Sequence, residues 1–199
     1  MPDTTQSPPS VAARVARAVR PTIAATRFAT VLASAWLVAA CASARPSLPL
    51  PFASATLHTA DGREVGTALL RKVDNAIQLD LDVHGIPDGD HGVHFHTFGK
   101  CDAPDFATAG GHVNPGATKH GVHNPQGPHA GDLPNLVVTN GTSTGWTART
   151  LRIAADTTRG ALFDADGTAI VIHANRDDET TDPSGNSGAR IACGIIVKR

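Results

Sequence analysis

Apolar and polar residues alternate along several short stretches of this chain, and the alternation has the two-residue period of a strand. The clearest stretch is Ala76–Val83 (AIQLDLDV), where Ile77, Leu79, Leu81 and Val83 share one face. Ala53–Thr59 precedes an Asp61-Gly62 turn, and Gly92–Phe98 puts Val93, Phe95 and Thr97 on one side. Leu136–Thr139 ends at Asn140-Gly141, Leu162–Phe163 runs into Asp166-Gly167 before Ala169–His173, and Gly188–Val197 closes the chain. Asp-Gly and Asn-Gly favour hairpins because both turn positions tolerate a positive φ. Beyond Cys41 no window carries a helical stripe. The pattern predicts an all-β domain, an antiparallel Greek-key β-sandwich or flattened barrel.

Two long stretches, Gly99–Pro134 and Ala174–Gly188, lack strand character. Structureless loops of that length inside a compact domain are usually functional or disordered. The first contains His112, His120, His123, His129 and Asp132, which favours function.

The first 40 residues differ in character. They hold four Arg and a single acid, Asp3, and end in the 13-residue apolar run Phe28–Ala40. That run is short for a membrane span and has the size of a signal-peptide core. Two processing patterns overlap after it. Ala42-Ser43-Ala44 suits cleavage by a signal peptidase, whereas Val38-Ala39-Ala40-Cys41 resembles a bacterial lipobox that would make Cys41 a lipidated first residue. Either sends the chain across a membrane, to the periplasm or cell envelope. Residues 1–40 therefore read as a removed signal peptide, 41–52 as a linker with Cys41 as its lipidation candidate, and 53–199 as one domain. Cys41 is the one membrane attachment the sequence offers. With Cys41 set aside, Cys101 and Cys193 remain as a pair in an oxidising compartment, where a bridge is expected.

Composition narrows the chemistry. The formal net charge is −1, and the 159 residues after the leader hold 13 basic and 17 acidic residues, a net of −4, so no nucleic-acid footprint is present. There is no Tyr, and Met1 is the sole methionine. Tyrosine chemistry, Met-rich copper carriage and blue-copper sites with an axial Met are excluded. Ten His against three Cys point to imidazole chemistry. On a strand, His94 and His96 project to the same face and make half a metal site. His112, His120, His129 and Asp132 lie in a loop rich in Pro and Gly, and together form an N3O set suited to a tetrahedral zinc. His173, at the tip of an apolar strand, reads by itself more readily as a hydrogen-bonded core histidine than as a ligand.

Taken together these stretches resemble the copper–zinc superoxide dismutase family, in its bacterial exported branch. HGVHFH (91–96), GGHVNP (110–115), HGVHNPQGPHAGDLPNL (120–136), IVIHANRDD (170–178) and SGNSGARIACG (184–194) follow that family's motifs in order, over about residues 53–199. The resemblance implies a sandwich with long metal-binding and electrostatic loops. It implies one copper per chain on His94, His96, His112 and His173, and one zinc on His112, His120, His129 and Asp132, His112 bridging the two. Asp177 would link a copper histidine to a zinc histidine, with Asp178 as its neighbouring rival. Cys101 and Cys193 would form the family's disulfide, and Arg190 would steer the substrate, superoxide, toward copper. The implied reaction is dismutation to dioxygen and hydrogen peroxide, with His112 also delivering a proton. The alternative is a non-catalytic copper/zinc-binding module on the same fold, which metal analysis separates from the enzyme. Monomer and homodimer are both left open.

Two further motifs carry little. Gly141–Gly145 (GTSTG) fits the serine-hydrolase elbow, but the elbow needs a helix after it, and Trp146–Ile153 alternates like a strand, so a hairpin turn is expected. Asp164-Ala165-Asp166-Gly167 begins like a calcium loop but lacks the later ligands, and reads as a turn.

Overall fold

The computed structural model describes residues 47–199; the leader, both processing patterns and Cys41 lie outside the described residues. Ten strands follow in order: β1 (Ala53–His58), β2 (Glu64–Val73), β3 (Ala76–His84), β4 (Gly89–His91), β5 (Val93–His96), β6 (Leu136–Val138), β7 (Thr142–Thr150), β8 (Ala169–His173), β9 (Arg190–Ile195) and β10 (Val197–Lys198). Among the described residues the helical content is one 3-10 turn, Ala107–Ala109, and no helix is long and apolar enough to cross a membrane.

All ladders are antiparallel. The main sheet runs β5-β8-β9-β1-β2-β3-β7, with β10 beside β1, and curls into a half-barrel. β4 and β6 pair separately. Because β4 leads directly into β5 and β6 into β7, this small ladder ties together the segments feeding the two edges of the curled sheet.

Turn chemistry accounts for the connections. Asp61-Gly62 joins β1 to β2, with Gly62 at φ +83°. Asn140 and Gly141 both take positive φ, and Thr139 and Thr142 exchange backbone hydrogen bonds of 2.9 and 3.1 Å. Instead of a long hairpin, β6 then leaves for β4 and β7 for β3.

β5 and β8 decide where the site sits. Val93, Phe95, Ile170 and Ile172 face the main core, together with Leu57, Leu70, Leu79, Leu81 and Leu136. Phe95 is wholly buried, and a side chain of that size stabilises the fold by about 1.5–3 kcal/mol over an exposed one. By the two-residue period, His94, His96, Val171 and His173 face the opposite way, where the long loops cover them. Loop segments are stitched onto β5 by Phe95 N–H to Gly131 O (2.9 Å), Val113 N–H to Phe95 O (2.9 Å) and Thr97 N–H to Gly111 O (2.9 Å). Gly131 is required there: a Cβ would run into the Phe95 carbonyl and come within 3.0 Å of Val113 N. A second, smaller apolar cluster of Phe106, Ala109, Ala169, Val171 and Cys193 packs beneath the Cys101–Cys193 disulfide, whose Cα atoms are 5.7 Å apart.

Several sequence expectations need correction. Leu162–Phe163 is not a strand; Leu162 is buried from a loop, its N–H donating to Ala154 O at 2.9 Å. The Gly92–Phe98 strand is confined to Val93–His96 because the loop takes over the hydrogen bonds of Thr97 and Phe98. The last strand breaks at Ile196, whose N–H turns to Thr168 O at 3.0 Å. Two other expectations hold: a strand and not a helix follows the Asn140-Gly141 turn, with Ser143 in β7, and Asp164–Gly167 is a turn closed by Gly167 N–H to Asp164 O at 3.2 Å.

Candidate metal centre

β5 and β8 bring His94, His96 and His173 onto one face, and the loop after β5 lays His112 beside them. Donor atoms of these four rings lie within 4.8 Å of one another, and all four residues are buried. Each of the three strand histidines has one ring nitrogen spent on an acceptor. His94 Nε2 donates to Asp177 Oδ2 at 2.8 Å, His96 Nδ1 to Gly110 O at 2.9 Å and His173 Nδ1 to Gly188 O at 3.2 Å. Pinning one nitrogen as N–H leaves the other as a lone pair, the arrangement of metal-binding histidines. His96 Nε2 and His173 Nε2 stand 3.4 Å apart, and His94 Nδ1 and His112 Nε2 are buried with no hydrogen-bond partner. Unpaired buried polar atoms are costly, and four convergent lone pairs with nothing to donate to them suit a cation.

The second set shares His112. Its Nδ1 is 2.9 Å from Asp132 Oδ1, and the same oxygen is 3.1 Å from His120 Nδ1 and 3.2 Å from His129 Nδ1. His129 Nδ1 is 3.3 Å from His112 Nδ1. Donors about 2.0–2.1 Å from a tetrahedral zinc would be roughly 3.3 Å apart, and these four separations of 2.9–3.3 Å are close to that spacing. His94 comes within 4.8 Å of His112, His120 and Asp132 as well, but its Nε2 is held by Asp177, whereas His129 Nδ1 stands 3.2 Å from Asp132 Oδ1 and 3.3 Å from His112 Nδ1.

Asp177 spans both sets. Its Oδ2 accepts from His94 Nε2 and its Oδ1 from His120 Nε2 at 2.9 Å. Asp178 points elsewhere, accepting from the N–H groups of Thr180 and Thr181 and from Asn186. Burial dominates the protonation of the strand rings, lowering His94 to about 3 despite Asp177, and His173 to about 4. His96 and His112 are likewise lowered, by burial first. His120 goes the other way. Burial opposes its charge, but Asp132 and Asp177 on its two nitrogens raise it to about 9. Both carboxylates are in turn held well below their ordinary range by the ring N–H groups, against burial.

Arg190 begins β9 opposite His173. Its Nη1 donates to Phe106 O and its Nη2 to Gly110 O, both at 2.6 Å. A cavity of about 400 Å³ opens over the rings, lined by His96, His112, His129, His173, Ser184 and Arg190 among others. Its one permanently charged side chain is Arg190, so a small anion entering it meets a fixed guanidinium beside the convergent lone pairs.

Other residues support the site without a readable motif. Arg152 donates from Nε to His129 O at 3.2 Å and from Nη2 to Asp132 O at 2.6 Å. Asn135 receives Asp177 N–H at 2.8 Å and donates to Asp177 O at 2.9 Å. His91 lies with Nδ1 2.7 Å from His173 O and Nε2 2.9 Å from Pro87 O, tying β4 to the end of β8. Asp182 accepts from His120 N–H at 2.9 Å and from Lys119 at 3.0 Å. His123, the one loop histidine outside both sets, is exposed and pairs with Glu179 at 3.1 Å.

A family model described as copper/zinc superoxide dismutase matches residues 64–196. A copper–zinc superoxide dismutase of Caulobacter vibrioides is 41% identical over 147 residues, covering 72% of this chain and 84% of that one. One from Aquifex aeolicus is 39% identical over 137 residues, covering 68% and 81%. The crystal structure of a SOD-like protein from Bacillus subtilis superposes with a TM-score of 0.69 at 36% identity, covering 72% of this chain and 97% of that one.

Proposed function

The chain belongs to the copper/zinc superoxide dismutase family, and from that premise we propose which of its residues carry the family's reaction. It is an enzyme of the superoxide dismutase class, its substrate is superoxide and its cofactors are copper and zinc. His94, His96, His112 and His173 would hold copper; His112, His120, His129 and Asp132 would hold zinc. The observation that carries this reading is His112, a member of both groups, with Nδ1 among the second set and Nε2 buried and unpartnered toward the first.

When bound, copper supplies a one-electron couple, so that one superoxide leaves as dioxygen and a second leaves, with two protons, as hydrogen peroxide, while zinc keeps a constant charge. The protein's own residues do the rest. Arg190, anchored by two carbonyls, orients the anion at the cavity floor. His112 Nε2 faces that space and is the ring atom able to hold a proton and pass it on. Asp177 fixes the tilt of His94 and His120 through one carboxylate. Gly110 and Gly188 do the same for His96 and His173 through their carbonyls. Both donor sets are complete, which favours the enzyme over a metal-binding module.

The proposal extends to processing: export by way of a signal peptide at 1–40, a linker at 41–52 whose Cys41 is the lipidation candidate with cleavage after Ala44 as the alternative, and a mature domain of 53–199 in the periplasm or cell envelope. The Cys101–Cys193 bridge supports an oxidising compartment.

The test is a superoxide-removal assay on the mature chain with metal analysis. About one copper and one zinc per chain with rapid removal is expected. Arg190→Glu should lower kcat/KM roughly 10-fold or more with copper occupancy unchanged. Zinc uptake alone, or full activity in Arg190→Glu, would contradict the respective assignments.

A further inference from the structure

The two donor sets depend on one carboxylate sitting in a very small space, and the space is made by a glycine. Gly185 lies in the loop between β8 and β9 at φ +62°. A Cβ added there would collide with Asp177 Oδ1, with Asp177 Cγ 2.6 Å and His120 Nε2 2.7 Å away. The carboxylate has little freedom to yield. Its oxygens are engaged by His94 Nε2 at 2.8 Å, His120 Nε2 at 2.9 Å and the Glu179 N–H at 2.6 Å. Gly185 is itself fixed, donating to Thr181 O at 2.6 Å and accepting from Asp178 N–H at 2.9 Å. Neither partner can retreat without giving up hydrogen bonds.

From this geometry we infer that Gly185 is a positioning residue for the paired metal sites: its missing side chain seats the Asp177 carboxylate between the rings of His94 and His120. The inference rests on the ligand assignment above. It deepens that assignment by naming what holds the shared carboxylate in place. Partners of this kind typically account for 10–100-fold in metal affinity.

Four variants are compared with the wild-type mature domain: Gly185→Ala, Asp177→Ala, the double variant, and Gly62→Ala. Gly62→Ala introduces a Cβ at φ +83° with nothing within 4 Å and so isolates backbone strain. Zinc affinity is measured by chelator competition, and the ligand field by the visible spectrum of cobalt(II) bound in place of zinc. Gly185→Ala should weaken zinc binding about 10–100-fold and shift the cobalt spectrum, whereas Gly62→Ala should do neither. With Asp177→Ala already present two of the three crowding atoms are gone and His120 Nε2 alone remains, its ring released from Asp177, so Gly185→Ala should then weaken binding by a clearly smaller factor than on the wild-type background. Should Gly185→Ala alone fail to fold, the double variant should still fold. Wild-type affinity in Gly185→Ala, an undiminished loss on the Asp177→Ala background, or a double variant that fails to fold while Asp177→Ala folds would each overturn the inference. A wild-type chain that takes up no zinc would overturn the ligand assignment and this inference with it.

Discussion

A histidine ring buried without charge and a histidine ring held between two carboxylates respond to pH in opposite senses, and this protein keeps both within one cluster. His94 and His173 are lowered to about 3 and about 4 by burial, from an ordinary 6.5. As pH falls below 6.5, the unfolded chain binds protons that the folded chain refuses, so the metal-free protein loses stability toward acid. His120 is raised to about 9 by Asp132 and Asp177, which outweigh burial. Between 6.5 and 9 the folded chain holds a proton that the unfolded chain releases, so that contribution is present below 6.5 and is lost as pH rises through 9. The metal-free domain should therefore melt highest near pH 6–7, with Tm falling on both sides. Thermal melts from pH 4 to pH 9 in the presence of chelator check this. Replacing His120 with Asn should flatten the alkaline limb and leave the acid limb in place, and a wild-type curve that stays level from pH 7 to 9 would contradict the role given to His120.

The loops that cover β5 carry the greater part of the chemistry, and hydrogen bonds to their backbone carbonyls help to hold them. Arg152, just beyond β7, donates to the carbonyls of His129 and Asp132, two donors of the second set. Arg152→Ala should leave both donor side chains intact yet let zinc dissociate about 10-fold faster into a chelator, with the copper set retained; an unchanged rate would show that the loop needs no such clamp. Arg152 also marks the limit of what the sequence discloses. Residue types that bind metal are readable because few side chains can ligate: HxH on a strand and three His with one Asp in a glycine-rich loop stand out. A side chain that donates to carbonyls carries no such mark, and neither does Gly185, whose contribution is empty space. The same holds for the strands. Ala76–Val83 alternates cleanly and is readable, and the structure extends it by one residue to His84. Glu64–Val73 goes unread because Val65 and Gly66 are both buried in succession and break the period, and Gly89–His91 is too short and polar to show one. Leu162–Phe163 misleads in the opposite direction, since two adjacent apolar residues do not reveal whether burial comes from a strand or a loop.

Among the described residues a single covalent link closes the domain, and its position gives it two tasks. Cys101 follows β5 and Cys193 lies in β9, 92 residues apart in sequence. Closing a loop of that length restricts the unfolded chain by about 4–5 kcal/mol in the chain-entropy model. In a domain of this size that corresponds to a Tm difference of roughly 10–15 °C. The same bond joins β9, which begins with Arg190, to the segment whose Phe106 and Gly110 carbonyls hold that guanidinium. The strand that offers the cation and the loop that aims it are thus held together by the bridge and by the small cluster of Phe106, Ala109 and Val171 beneath it. None of the seven proposed metal-binding residues is a cysteine, and β5 and β8 also pack into the main core through Val93, Phe95, Ile170 and Ile172. Reduction, or replacement of both cysteines with Ser, should therefore lower Tm by roughly 10–15 °C. It should also reduce kcat/KM for superoxide at temperatures where the protein is still folded and its copper content unchanged. Activity that falls only in proportion to copper loss would mean that the bridge stabilises the fold without aiming Arg190.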